Sequence, residues 1–249
     1  MSVLEALAIV GVGLVAGTIN TIVGSGSLIT FPTLLAFGFS PIVANVSNTV
    51  GLTPGSLSGA IAYRRELRGQ RPRLLVLGTA SVTGGVTGAV LLLALPGSVF
   101  RHVVPVLILV ACVLVAIQPR LSRRLADRAK PPLHGGAPLF VSVFATGVYG
   151  GYFGAAQGVI LMSLLGIFLD DQLQRLNAAK NVLALCANGT SALVFICVTH
   201  IAWEAALLVA AGSIVGGQIG GAFGRRVPAP LLRVLIIIVG VTAAVVLLA

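Results

Sequence analysis

The sequence predicts an all-α polytopic membrane protein made of two inverted repeats of five segments each. Three observations predict this fold: the composition, an internal duplication, and the placement of the basic residues. Of the 249 residues, 57% are hydrophobic and only 9% are charged, with a mean hydropathy of +1.07. A soluble domain carries about a quarter charged residues, so this chain has too little polar surface to cover a water-soluble globule. We therefore expect several helices that cross a bilayer.

The two halves of the chain match each other. ASVTGGVTGAV (80–90) matches GSIVGGQIGGAF (212–223) at a shift of 132 positions, and NTVGLTPGSLSGA (48–60) matches NVLALCANGTSAL (181–193) at a shift of 133. Ala16-Gly17 matches Gly150-Gly151 at a shift of 134. A nearly constant shift indicates a duplication. We predict one membrane domain over 1–249, with a first repeat at 1–118, a basic cytoplasmic linker at 119–137 and an inverted second repeat at 138–249.

Each half divides into five apolar segments. We place them at 3–23, 28–39, 42–62, 73–95 and 101–118, and at 138–153, 158–169, 174–198, 203–223 and 230–249. The second segment of each half is shorter than the about 20 residues that a spanning helix needs. A glycine-rich break precedes each, GSGS (24–27) and GAAQG (154–158). We expect a re-entrant hairpin or a discontinuous helix pair in each half, which returns the chain to the side it came from.

The basic residues give the topology. They form clusters at 64–73, 120–130 and 225–226, and short basic loops beside apolar spans mark the cytoplasmic side. This rule puts 63–73, 119–134 and 224–229 inside, the turns 96–100 and 199–202 outside, and both termini outside. Arg101 and Lys180 are the exceptions among the sixteen basic residues. The net charge of +10 is thereby explained by membrane topology, and no nucleic-acid partner is expected.

Inverted repeats with short, glycine-interrupted segments are typical of secondary transporters, whose site lies near the midplane where the broken helices meet. We therefore predict a transporter and not an enzyme. The candidate substrate-binding residues are the polar and glycine residues of the breaks and of the third segment in each half: Asn20, Ser25, Gly26, Ser27, Asn45, Asn48, Gln157, Asn177, Lys180 and Asn181.

These residue types suit an anion. Helix N-termini carry free N–H groups and the positive end of the helix dipole, and Ser27 is placed to cap the second segment. Asn45 and Asn48 share one helix face by their spacing, as do Asn177 and Asn181. Two interpretations of Lys180 stay open: the side chain snorkels to the cytoplasmic interface, or it is a fixed positive charge that faces an anion. Either must offset the about 2.5–3.5 kcal/mol that a lysine costs at the centre of a membrane helix.

Two other functions are compatible with parts of the same pattern. A passive anion channel on the same fold stays open. An intramembrane hydrolase built on Ser25 or Ser27 needs a base within reach, and His102, His134 and His200 are poorly placed for that role. The sequence predicts no metal site and no cofactor.

The stretch GLVAGTINTIVGSGSLITFPTLLAFGFSPIVANVSNTVGLTPGSLSGAIAYRREL (13–67) resembles the first repeat of the sulfite exporter TauE/SafE family. The resemblance rests on the glycine-rich break, Pro32, the Ala44-Asn45…Asn48 tract and the Tyr63-Arg64-Arg65 exit. GVYGGYFGAAQGVILMSLL (147–165) with LNAAKNVLALCANGTSAL (176–193) resembles the second repeat.

The resemblance implies a multi-pass permease of the bacterial inner membrane for a sulfur-containing anion such as sulfite, a sulfonate or a related sulfoacid. It implies uptake or export, with the proton gradient as the proposed driving force, and it leaves a homo-oligomer open. The second break lacks the serines of the first, so an exact two-fold substrate site is not expected. A sulfonate or sulfite offers three acceptor oxygens, which amides, hydroxyls, backbone N–H groups and one ammonium would bind in place of water.

Overall fold

The described residues of the computed structural model, 2–126, 136–223 and 229–248, form ten α-helices and no strand. The helices are α1 (Val3–Ile22), α2 (Ser27–Ala36), α3 (Pro41–Ala62), α4 (Arg71–Ala94), α5 (Gly97–Ala126), α6 (Gly136–Tyr152), α7 (Gln157–Phe168), α8 (Leu173–Val198), α9 (Trp203–Phe223) and α10 (Ala229–Leu248). They follow the ten predicted segments in order. The prediction of an all-helical polytopic chain is therefore confirmed.

Five helices among the described residues are long and apolar enough to cross a membrane: α1, α4, the Gly97–Ile117 part of α5, α8 and α9. With 22 residues, α3 has the length of a span. Its polar residues keep its hydropathy below that of the other five. A helix that is both long and polar is expected at the interior of a membrane bundle, where its side chains reach other protein groups instead of lipid.

The two halves exchange packing partners. The main contacts of α1 are with α9, and those of α6 are with α4; α3 packs on α9 and α8 packs on α4. α3 also contacts α8, and α5 contacts α10. A two-fold relation between the halves predicts these pairs, while the inverted orientation of the repeats stays a prediction.

Glycines let these helices approach closely. A Cβ at Gly17 of α1 would overlap the backbone of Ser213 in α9, and one at Gly88 of α4 would overlap the carbonyl of Val148 in α6. Small residues at helix contacts are the usual means of association in a membrane, where no hydrophobic effect drives helices together. The glycine-rich tracts that revealed the duplication are therefore packing surfaces.

Matching hydrogen bonds identify the counterpart residues of the two halves. Ser81 Oγ donates to Leu183 O at 2.7 Å, and Ser213 Oγ donates to Gly51 O at 3.0 Å. Ser81 and Ser213 are counterparts at a shift of 132, and so are Gly51 and Leu183. The predicted shift of 133 for this tract is thus wrong by one residue, because glycine and small residues recur so densely that neighbouring registers match almost equally well.

Three predicted boundaries differ from the structure by three residues or more. α5 begins four residues before the predicted 101 and continues to Ala126, so the first part of the predicted 119–137 linker is helical. α2 ends at Ala36 and not at 39, because Gly38 has a φ of +85° and leaves the helical conformation. The remainder of the linker at 127–135 and most of the predicted 224–229 turn lie outside the described residues.

Candidate functional site

The two glycine-rich breaks contact each other. Gly158 N donates to Gly24 O at 3.0 Å, and a Cβ on either glycine would overlap the Cα of the other. Gly24 and Gly154 both have a positive φ, +88° and +76°, which glycine adopts without strain. Each ends the preceding helix by donating its N–H to a carbonyl of that helix, Ile19 O and Tyr149 O, at 3.1 Å. These glycines are therefore counterparts at a shift of 130, and not at the 134 predicted for this part of the chain.

The chain folds back at the first break. A Cβ on Gly26 would overlap Ala16 O and lie 3.0 Å from the Asn20 Cβ. Ala16 precedes the end of α1 by six residues, which is about 9 Å along a helix. α2 therefore begins beside α1 and not beyond its end. Of the two predicted alternatives, this geometry favours the re-entrant hairpin.

Both short helices begin at the breaks without a side-chain cap. Gly26 precedes α2, and Ala156, with a φ of +58°, precedes α7; neither supplies a capping hydrogen bond. Ser27 is the first residue inside α2, so the prediction that it caps this helix is wrong. Most first-turn N–H groups donate to carbonyls of the breaks instead: Leu28 N and Ile29 N to Ser25 O and Gly26 O, and Gln157 N and Val159 N to Gly154 O and Ala156 O. The positive ends of both helix dipoles lie at the breaks.

Lys180 is buried, with 1% of its surface exposed. Its Nζ donates to Asn20 O at 3.2 Å and to Thr21 O at 3.1 Å, in the last turn of α1. The ammonium therefore does not reach water in this structure, which contradicts the snorkelling interpretation. A cation is favourable at the C-terminal end of a helix, where carbonyls lack donors. An ammonium has three N–H donors, and the third has no partner among the described residues.

Two asparagines join Lys180 at the end of α1. Asn177 Nδ2 and Asn181 Nδ2 both donate to Thr21 O, at 3.4 and 3.3 Å, so they share one face of α8 as predicted. In the other half, Asn45 Nδ2 donates to the carbonyl of Tyr152, the last residue of α6, at 3.0 Å. In each half, side chains of the third helix thus donate hydrogen bonds to the carbonyls at the end of the first helix of the other half.

This arrangement changes what the predicted site residues do. The amide donors of Asn45, Asn177 and Asn181 are occupied by helix-end carbonyls, which would otherwise be unsatisfied at membrane depth. The sequence showed that these polar residues are out of place in lipid but not which backbone groups they meet. Those partners lie more than 100 residues away in the chain.

Buried polar atoms without a partner concentrate around the breaks. Seven buried side-chain atoms in the described residues have no hydrogen-bond partner, and five of them belong to four predicted site residues: Ser25 Oγ, Asn45 Oδ1, Asn48 Nδ2, and Gln157 Nε2 and Oε1. Each of these four residues is at most 2% exposed. A buried polar group left unsatisfied costs about 1–3 kcal/mol. This concentration makes the breaks the candidate site for a polar ligand or water.

A small polar cavity lies where the breaks meet. Its volume is about 10 Å³, which is the space for about one water molecule. Its polar lining residues are Asn20, Ser27, Thr49, Gln157 and Asn188. Three of them were predicted site residues, whereas Thr49 and Asn188 were not; their signal is that they are polar residues inside α3 and α8, the helices that also carry Asn48 and Lys180. The site is closed in this conformation.

The other predicted site residues do not line this cavity. In the cavity wall, Asn20 Nδ2 donates to Ser56 Oγ at 3.1 Å; outside it, Asn48 Oδ1 accepts from Thr30 Oγ1, which leaves Asn48 Nδ2 free. Ser25 Oγ has no hydrogen-bond partner in the described structure, so no base is bonded to it. Within the described ranges no group of three or more His, Cys, Asp or Glu residues could hold a metal ion.

An ion-pair network joins the two halves at the side that the basic loops assign to the cytoplasm. Asp171 accepts from Arg73 Nη2 at 2.9 Å and from Arg175 Nε at 2.8 Å. Arg175 also donates to Arg68 O, and Gln70 donates to Arg175 O, both at 3.0 Å. Burial alone raises the pKa of Asp171, but the hydrogen bonds and charges of the two arginines outweigh it and lower the pKa below its ordinary 3.8. We call this set the Asp171 network.

Comparisons with known proteins agree with this membrane architecture. The chain is 26% identical over 239 residues to the probable membrane transporter protein ORF9 of Sinorhizobium sp., covering 94% of this chain and 89% of the relative. It is 27% identical over 229 residues to the probable membrane transporter protein YfcA of Escherichia coli, covering 92% and 84%. A probable membrane transporter protein of Haemophilus influenzae is 28% identical over 227 residues, covering 91% and 88%. No solved structure matches the chain significantly.

The apolar helices and these relatives identify a multi-pass integral membrane protein of the bacterial inner membrane. The family model described as sulfite exporter TauE/SafE matches residues 9–247, nearly the whole chain. This chain belongs to the sulfite exporter TauE/SafE family.

Proposed function

We propose that this membrane transporter is a secondary transporter for a sulfur-containing anion, namely sulfite, a sulfonate or a related sulfoacid. The substrate site lies at the midplane between the two halves, where the breaks meet. The observation that carries this proposal is the concentration of unpartnered buried polar atoms on Ser25, Asn45, Asn48 and Gln157. The family description, which names sulfite export, supports the substrate class.

The chemistry of the site suits an oxyanion. Donors without a partner are the Ser25 hydroxyl, Asn48 Nδ2, Gln157 Nε2 and the third N–H of Lys180. The N-termini of α2 and α7 add the positive ends of two helix dipoles. All six acidic residues of the chain lie outside the breaks and outside the polar tracts of α3 and α8. A substrate with three acceptor oxygens and a negative charge would satisfy these donors.

Two buried acceptors without a donor suit a proton on the substrate. Asn45 Oδ1 and Gln157 Oε1 have no donor, and the hydroxyl of a protonated oxyanion would supply one. This supports a coupling in which the proton travels on the substrate, since weak oxyacids such as sulfite carry protons and no carboxylate is placed for a relay. Transport of a permanently ionised sulfonate would then be independent of a pH gradient, whereas transport of sulfite would depend on it.

Binding requires motion, because a cavity of about 10 Å³ holds about one water molecule. The two hairpins have to separate at the Gly24–Gly158 contact before an oxyanion enters. A site closed to both sides is expected in one state of an alternating-access cycle. This closure favours a transporter over an open anion pore.

The test of the function is flux into proteoliposomes that contain the purified protein. We expect sulfite or sulfonate uptake that saturates with concentration, is inhibited by the other sulfur oxyanions, and is accelerated by substrate on the opposite side. Flux that rises linearly with concentration and shows no acceleration from the opposite side would replace the transporter with a passive channel. The absence of any sulfur-anion flux, with chloride and phosphate as comparison anions, would overturn the substrate class.

A further inference from the structure

An apolar groove lies far from the breaks, at the opposite end of α2. Its volume is about 630 Å³, within the range of about 300–1,000 Å³ that is usual for ligand pockets. Four elements line it, through residues that include Pro32, Ala36, Pro41, Arg101, Ile238 and Leu247. These positions are the end of α2, the start of α3, the start of α5 and the second half of α10. The basic loops assign all four of these helix ends to the outer side of the membrane.

The short length of α2 accounts for the groove. Ten residues of helix rise about 15 Å, which is half of the about 30 Å hydrocarbon core of a bilayer. Because α2 ends at Ala36, it covers only part of α10, which also packs on α5. Ile238, at the wall of the groove, is 59% exposed, so the groove opens on the surface that faces lipid.

Arg101 is the charged residue that lines this groove. It is exposed and has no hydrogen-bond or ion-pair partner among the described residues. It is also, with Lys180, one of the two basic residues that depart from the cytoplasmic placement of the others. Lys180 has helix-end carbonyls as partners, whereas Arg101 has none. A guanidinium at the mouth of an apolar groove is complementary to a molecule with an anionic head and an apolar tail.

We propose that this groove is a binding site for an anionic phospholipid of the outer leaflet, with an acyl chain along α2 and α10 and the phosphate on Arg101. The site is separate from the substrate site and does not depend on the proposed substrate. A bound lipid would connect α2 to α5 and α10, so it stabilises the first hairpin against these helices.

The test is native mass spectrometry and thermal unfolding of the detergent-purified protein with added phosphatidylglycerol, phosphatidylcholine or glycerol phosphate. We expect phosphatidylglycerol to bind most tightly and to raise the melting temperature, and glycerol phosphate, which has no acyl chain, to do neither. Arg101→Gln is expected to weaken phosphatidylglycerol about fivefold, the factor for one cation near a lipid surface, and to weaken phosphatidylcholine less, because its choline offsets the charge of its phosphate. Ala36→Trp, which fills the groove, is expected to weaken both lipids.

Arg64→Gln is the control, because Arg64 is also an exposed arginine but lies on the loop after α3, away from the groove. The proposal is overturned if Arg101→Gln and Ala36→Trp bind phosphatidylglycerol as the parent does. It is also overturned if Arg64→Gln weakens this lipid as much as Arg101→Gln, or if glycerol phosphate binds as tightly as the lipid, since the headgroup alone would then account for binding.

Discussion

At the scale of single residues, Lys180 shows how a charge is kept inside a membrane helix bundle. Its ammonium meets two carbonyls at the end of α1, and Asn177 and Asn181 bond to one of these carbonyls as well. The ammonium of the lysine and the carbonyls of the helix end are each other's hydrogen-bond partners, because neither has water available at that depth. A charge that is satisfied in this way has a structural role even where one of its N–H donors stays available to a ligand.

Replacing Lys180 is therefore expected to weaken the fold. Lys180→Met keeps much of the side-chain volume but removes both hydrogen bonds, so we expect a loss of about 2 kcal/mol or more in unfolding free energy. Leu183→Met on the same helix, at a position that is fully buried, is the control and should cost less than about 1.5 kcal/mol. Thermal unfolding in detergent measures both. A Lys180→Met protein as stable as the parent would contradict the structural role of the lysine.

The contact between Gly24 and Gly158 is the second prediction at this scale. Gly24→Ala adds a Cβ that overlaps the Cα of Gly158, at a φ of +88°, so both sterics and backbone strain oppose it. We expect a loss of more than about 3 kcal/mol, or no folded protein. Gly38→Ala is the control: its φ is +85°, but no atom lies within 4 Å of the added Cβ, so only the strain of about 1–2 kcal/mol remains. Equal yields and melting temperatures of the two variants would show that the breaks do not touch.

At the scale of helices, the hairpins α1–α2 and α6–α7 are positioned by the third helices of the opposite halves. Lys180 of α8 donates to a carbonyl at the end of α1, and Asn45 of α3 donates to a carbonyl at the end of α6. At the predicted cytoplasmic side, the Asp171 network connects the loop before α4 to the start of α8. These contacts cross between the halves, so they have to rearrange if the halves move relative to each other during transport.

The Asp171 network makes a pH-dependent contribution to stability. The folded-state pKa of Asp171 lies below its ordinary 3.8, so the ion pairs stabilise the fold at neutral pH and are lost as the pH falls through the folded-state pKa. Asp171→Asn should lower the melting temperature at pH 7, and the difference from the parent should disappear as the pH falls below about 4. Melting curves between pH 7 and pH 3 measure this. A difference that stays constant over that range would show that the carboxylate charge does not contribute.

The sequence predicts the positions of the helices far better than the contacts that each helix makes with the others. Apolar length and glycine-rich breaks placed all ten helices, with differences at the ends of α2 and α5 and at the start of α5. Shifts of the repeat were less accurate, since tracts such as VTGGVTGAV match a related glycine tract at several registers. The polar residues of α3 and α8 were recognised as unusual, but their partners on α1 and α6 depend on packing between segments that are far apart in the chain.

At the scale of the whole molecule, the two halves meet at the breaks, and the proposed site there has more buried polar atoms than partners. Such an excess is costly in a protein that only has to be stable, because each unpartnered buried group opposes folding. The cost is accounted for if a ligand supplies the partners during transport. The sequence identified all four residues that carry these atoms, and the structure adds Thr49 and Asn188, polar residues of α3 and α8, to the cavity wall.

The measurement that tests this account most directly is the melting temperature of Gln157→Met with and without sulfite, thiosulfate and small sulfonates. Both amide atoms of Gln157 are buried without a partner, so the account predicts that the variant is at least as stable as the parent without ligand but is no longer stabilised by these anions. Gln218→Met is the reverse control, because Gln218 Nε2 donates to Ser58 O and Ser58 Oγ at 2.9 Å; this variant should be less stable but keep the ligand effect. Anion-dependent stabilisation that survives in Gln157→Met, or a Gln157→Met protein that is destabilised without ligand, would contradict the proposed site.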